Sequence, residues 1–128
     1  MSATQEFTLD SVLDRLEAFT LSNVNLKYTP EQGGRKHWTI SAEIDGHLLF
    51  IDFTVGRSQV TNPDGHAEFV LSEILPGRLT LLDDNACGDL ILSTARDRNA
   101  DQSGRLQAFL WSRLEPRANW LLCETNWH

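Results

Sequence analysis

The sequence predicts an α+β domain: an antiparallel β-sheet of about five strands with helices packed on it, in the order helix–three strands–helix–two strands–helix. Three observations lead there. Apolar residues recur at helical spacing near both ends of the chain. A stretch between them alternates with period two. Within that stretch, Asp45-Gly46 is a two-residue hairpin signature. At 128 residues, with 41% apolar and 23% charged residues, the chain has the size and composition of one folded domain spanning 1–128.

The first element reads as a helix. Leu9, Val12, Leu13, Leu16 and Phe19 recur at 3, 4 and 7, which is one helical face. Thr8 fits the N-cap; if the helix starts later, Ser11 with Asp14 offers a capping box. Asp10, Asp14 and Glu17 share the opposite face. They read either as a solvated face or as a binding surface for a basic partner.

Residues 23–55 switch to alternation. Val24, Leu26 and Tyr28 alternate with polar residues, and Pro30-Glu31-Gln32-Gly33-Gly34 is a turn. Both central positions of a type I′ turn need φ > 0, which suits Asp45-Gly46. That turn pairs Ile44 with His47, Ala42 with Leu49, Ile40 with Ile51 and Trp38 with Phe53. A slip of one residue would break every apolar match, so turn chemistry and hydrophobic pattern agree. The reverse face pairs Glu43 with Leu48, Ser41 with Phe50 and Thr39 with Asp52. Leu48 and Phe50 are apolar on this polar side. Either a helix or loop covers them or they form a patch for dimerisation or partner binding.

Asn62-Pro63-Asp64-Gly65 is a turn. Ala67, Val70, Leu71, Ile74 and Leu75 then fit a short helix ending at Pro76-Gly77; a strand with Ala67, Phe69 and Leu71 inward is the competing reading. Strands at 79–82 and 90–93 flank the loop Asp83 to Gly88. Ala95 to Gly104 reads as a loop. A second helix carries Leu106, Phe109, Leu110 and Leu114 on one face, and Glu115-Pro116 interrupts it. The apolar stretch 118–123 packs as helix or strand.

Charge and chemistry narrow the function. The net charge of −7 argues against a nucleic-acid phosphate binder. Residues 1–90 hold 14 acids against 6 bases, and residues 91–128 hold 4 against 5, so the acidity is confined to the first part. It serves solubility or steers a basic protein. No apolar run approaches the ~20 residues of a membrane span, and the N-terminal residues lack the basic and apolar regions of a signal peptide. Cys87 and Cys123 read as reduced thiols of a cytoplasmic protein.

No motif announces an enzyme. His37, His47, His66 and His128 lack the spacing that clusters metal ligands. His66-Ala67-Glu68 is half of a zinc deaminase signature, but the partner Pro-Cys-x-x-Cys segment is missing. Asp83, Asp84 and Asp89 read as turn acids rather than a cation site. No catalytic, cofactor-binding or metal-binding residue is therefore expected. Trp111 lies off the apolar stripe of its helix, near Arg105, Arg113 and Arg117, and reads as an interface anchor or as a residue buried by the tail.

Element order, size and acidity across residues 8–115 resemble the type III secretion chaperones. The nearest textual likeness is Asn62-Pro63-Asp64 running into Phe69-Val70-Leu71-Ser72-Glu73-Ile74-Leu75. The resemblance implies a small, cytosolic, non-enzymatic and usually dimeric protein. It supplies no individual site residue. The expectation is a protein-binding module that escorts or neutralises one partner, with Asp10, Asp14, Glu17, Leu48, Phe50 and Trp111 as its contact residues. A small hydrolase or metal-dependent enzyme, with a site assembled only by the fold, and a small-ligand sensor are the alternatives.

Overall fold

The computed structural model describes residues 7–19, 21–29, 37–83 and 88–123. Helix α1 (Leu9–Glu17) begins at Thr8, whose hydroxyl accepts from Ser11 N while Ser11 Oγ accepts from Thr8 N. This reciprocal pair satisfies two donors that the first helical turn leaves free. Strands β1 (Ser22–Thr29), β2 (His37–Ile44), β3 (His47–Thr61), β4 (Ala67–Asp83) and β5 (Gly88–Ser93) follow in sequence. They form an antiparallel meander in the order β1-β2-β3-β4-β5. Helix α2 (Ala100–Leu114) starts at Asn99 with a second capping box to Gln102. A 3-10 turn (Glu115–Arg117) leads into helix α3 (Ala118–Leu121). Among the described residues no helix is long and apolar enough to cross a membrane.

The architecture is α+β with helices at both chain ends packed on a five-stranded sheet. The β2–β3 hairpin has the register that the turn imposes, from Ile44 opposite His47 to Trp38 opposite Phe53. Asp45 and Gly46 take the left-handed conformation, with φ of 50° and 83°. The burial of β2 alternates along its whole length, and its inward side chains meet those of α1 and α2. Val12, Leu13 and Leu16 of α1 join Trp38, Ile40, Ile51, Phe53, Ile74 and Leu79 of the sheet and Leu106, Leu110 and Leu114 of α2 in one core.

Two expectations are corrected. The segment expected to form a short helix, 67–75, is the first half of β4, paired with β3 from Thr61–Ala67 to Thr54–Leu75. The reason lies in two bulges. Ser72 has no counterpart between the pairs Gly56–Glu73 and Arg57–Leu71, and Gly77 and Arg78 together face Asp52. Leu71, Ile74, Pro76, Leu79 and Leu81 therefore point to the core with spacings of 3, 2, 3 and 2, and the steps of three imitate a helical face. Gly77 suits the second bulge: a Cβ there would stand 3.3 Å from the Asp52 carbonyl oxygen, a tight contact to which the backbone would have to yield. The expected loop 95–104 is also shorter, because α2 already begins at Ala100. The tail resolves as the short helix α3. The expected turn at 30–34 and Cys87 lie outside the described residues.

β3 and β4 run on past the end of β2. His37 faces Thr54, and from Val55 to Thr61 strand β3 pairs only with β4. This two-stranded arm closes at Asn62–Gly65, where Gly65 N donates to Asn62 O and Asn62 N donates to His66 O. Arg57 lies 3.9 Å over the Phe69 ring on the helix side of the arm.

The bulge in β4 is anchored from outside the sheet. Arg98, only 8% exposed, donates to the carbonyls of Gly77 (2.7 Å) and Pro76 (2.9 Å) and to Ser93 Oγ (3.1 Å). Burial lowers its pKa, and the neighbouring Asp97 charge opposes that. Asp97 is itself held below the ordinary carboxylate range by hydrogen bonds from the Thr94 hydroxyl and the Thr94 amide.

Candidate functional site: the open face of the sheet

All the described helices pack on one face of the sheet, and among the described residues no helix or loop covers the opposite face. Cross-strand partners share a face, so the register defines its rows. One row runs Ser41, Phe50, Thr80, Ile91 across β2 to β5. The next pairs Glu43 with Leu48, and Leu82 projects on the same side because its neighbour Leu81 is in the core. A third row joins His37, Thr54 and Leu75. Between them Thr39 Oγ1 donates to Asp52 Oδ1 at 3.0 Å.

Leu48, Phe50, Leu82 and Ile91 thus form an apolar patch. Leu48 is 38% and Ile91 52% exposed, while Phe50 and Leu82 are half-buried by their neighbours. Thr80, at the centre of the patch, is only 8% exposed. Two of these residues, Leu48 and Phe50, were legible as the apolar intruders on the polar side of the hairpin. Ile91 and Leu82 were not, because their face follows from β4, and the position of β4 follows from its bulges. Of the two readings open for Leu48 and Phe50, cover by a helix or loop finds no covering element among the described residues.

The acidic side chains expected to greet a partner are engaged within the chain. Arg105 of α2 donates to Asp14 Oδ1 at 2.7 Å and to Glu17, and Gln102 Nε2 donates to Asp10 Oδ1 at 3.1 Å. The two carboxylates raise the pKa of Arg105 above its ordinary value, chiefly through the Glu17 hydrogen bond. Asp10, Asp14 and Glu17 therefore join α1 to α2, while the Asp14 and Glu17 side chains stay 73% and 51% exposed. Arg15 uses Asp45 in the same way, at 2.6 Å. Trp111 is half-buried against the core and is not an exposed anchor. Among the described tryptophans the exposed one is Trp120, at 45%, whose ring meets that of buried Trp38 edge-to-face at 5.0 Å.

Little else gathers chemistry. His66 closes the arm beside Asp64, 3.4 Å away with both side chains largely exposed, and it precedes a strand rather than a helix. His47 packs edge-on against Phe7. Among the described residues, no three of the His, Cys, Asp and Glu side chains converge as metal ligands. Compared with protein-family models, with curated proteins and with solved structures, the chain gives no match.

Proposed function

We propose that this chain is a non-enzymatic, cytoplasmic protein-binding module that escorts or neutralises one protein partner, and that the partner docks on the open face of the sheet. The supporting observation is the patch of Leu48, Phe50, Leu82 and Ile91, an apolar surface on a face that no described element covers. Contiguous exposed apolar surface rimmed by polar residues marks interaction sites. Glu43, Asp52, Thr39 and Ser41 form such a rim. The net charge of −7 makes a basic partner the electrostatic complement, acting through the overall field rather than through the α1 acids.

Secretion chaperones and toxin-immunity proteins are the roles that suit such a module. A homodimer through the same face is the arrangement that competes with a foreign partner. The hydrolase reading has no observation in its favour.

The experiment is a double substitution, Leu48→Asp with Ile91→Asp, followed by isolation from the native host. The unaltered protein should come away with one partner at fixed stoichiometry. The double variant should come away alone with an unchanged melting temperature. Retention of the partner would remove this face from consideration, and a large drop in melting temperature would show that the face is covered in the native protein.

A further inference from the structure

A second site lies on the other side of the sheet. Val24 and Leu26 of β1, Ile40 of β2, and Arg113, Leu114 and Arg117 at the C-terminal end of α2 and the turn after it line a cavity of about 250 Å³. Its sheet wall is aliphatic, since Leu26 pairs with Ile40 and both face the helices. Its helix wall carries two guanidinium groups.

What sets these two arginines apart is that both line the cavity. Arg15 and Arg105 hold carboxylates, and Arg98 holds backbone carbonyls. Among the described residues neither Arg113 nor Arg117 makes an ion pair or a side-chain hydrogen bond. Arg113 is held in place by aromatic rings: its guanidinium lies 5.1 Å from the Phe19 ring centroid and 5.7 Å from that of Phe109, and its Nε is buried with no partner. Phe19 occupies the left-handed region, at φ 56°, where a side chain is strained. A strained backbone thus sets the ring that orients an arginine meeting no carboxylate among the described residues. In a protein of net charge −7 with 18 acids, two arginines that meet no carboxylate among the described residues, set opposite an aliphatic sheet wall, are a specific arrangement.

We infer that this cavity binds a small amphiphilic carboxylate, with its apolar body against Val24, Leu26, Ile40 and Leu114 and its carboxylate on Arg113 and Arg117. Guanidinium groups bind carboxylates through two parallel hydrogen bonds. A cavity of about 150 Å³ holds benzene, so by proportion this partly open one has room for about ten non-hydrogen atoms. Octanoate has that size. The site is independent of the docking face, because the patch residues lie on the opposite side of the sheet.

The test uses the full chain with octanoate, and 1-octanol as the neutral analogue of equal length, followed by titration calorimetry and methyl NMR. Octanoate should bind saturably at one site, shift the methyl resonances of Val24, Leu26, Ile40 and Leu114, and bind at least tenfold tighter than octanol. Arg117→Gln removes an exposed side chain without described contacts and should weaken octanoate about tenfold while leaving octanol unchanged; Arg113→Gln should act in the same direction. Val24→Phe, which fills the cavity, should abolish both. Leu48→Asp with Ile91→Asp should leave octanoate binding intact. Equal affinity for the acid and the alcohol, an unaltered affinity in Arg117→Gln, or shifts outside the cavity would overturn the assignment.

Discussion

Phe50 and Ile91 stand in one row across the open face, each opposite Thr80 from its own side. With strands about 4.8 Å apart, the two residues lie roughly 10 Å from one another. They shield the threonine between them, and their own outer surfaces remain free. Ile91 is already half in solvent, so Ile91→Ser should change stability by no more than about 0.5 kcal/mol in urea denaturation. A loss above ~2 kcal/mol would place Ile91 in a packed interior and contradict the open face.

Trp38 and Ile51 lie on the other side of the same hairpin, at 0% and 1% exposure. Trp38→Ala and Ile51→Ala should each cost about 2–5 kcal/mol, as large-to-small core changes do. Denaturation of both variants checks this, and a loss under ~1 kcal/mol at both would refute the register.

That hairpin is also where the sequence was most informative. Asp45-Gly46 demands one turn, the turn demands one register, and every apolar pair agrees with it, so local and tertiary preferences coincide. The terminal helices were legible for a similar reason: a cap and one apolar face each. β4 was not. Its two bulges put steps of three into the inward pattern, and its pairing with β3 is a relation between segments that no local window contains. The same blind spot hid Ile91 and Leu82 from the candidate site. For the α1 acids, the sequence showed a charged face but not that Arg105, some ninety residues later, would lie against it.

Arg105 ties α2 to α1 through Asp14 and Glu17 on the surface. Exposed ion pairs are screened by salt, so their effect should be local. Asp14→Lys with Glu17→Lys should speed amide exchange across Leu9–Glu17 and leave β2 and β3 protected. Concentrated salt should produce the same pattern in the unaltered protein. Unchanged exchange in α1 would show that apolar packing alone docks it.

Arg98, only 8% exposed, satisfies two carbonyls of the β4 bulge. Arg98→Met should cost about 1–3 kcal/mol, the penalty for leaving buried polar groups unpaired. Arg98→Lys should recover little, since one ammonium lacks the planar fork that reaches Pro76, Gly77 and Ser93 together. Full recovery by lysine, read from urea midpoints, would show that charge rather than geometry holds the bulge.

Asp97 has a lowered pKa in the folded protein, so its contribution to stability is complete above the ordinary value of 3.8 and is lost as pH falls through the folded value. Asp97→Asn should therefore be less stable than the unaltered protein at neutral pH, and the gap should narrow as the solution is acidified below 3.8. Urea midpoints at a series of pH values measure this. A gap independent of pH would mean that the Thr94 hydrogen bonds do not need the carboxylate charge.

The docking face itself is tested most directly by placing a photoreactive p-benzoylphenylalanine at one position at a time and irradiating the protein in its native host. Leu48 and Ile91 mark the open face, and Asp101, exposed on α2, marks the helix side. The account predicts one covalent adduct of the same mass from positions 48 and 91 and none from 101. An adduct from 101 alone, or none from either open-face position, would contradict it.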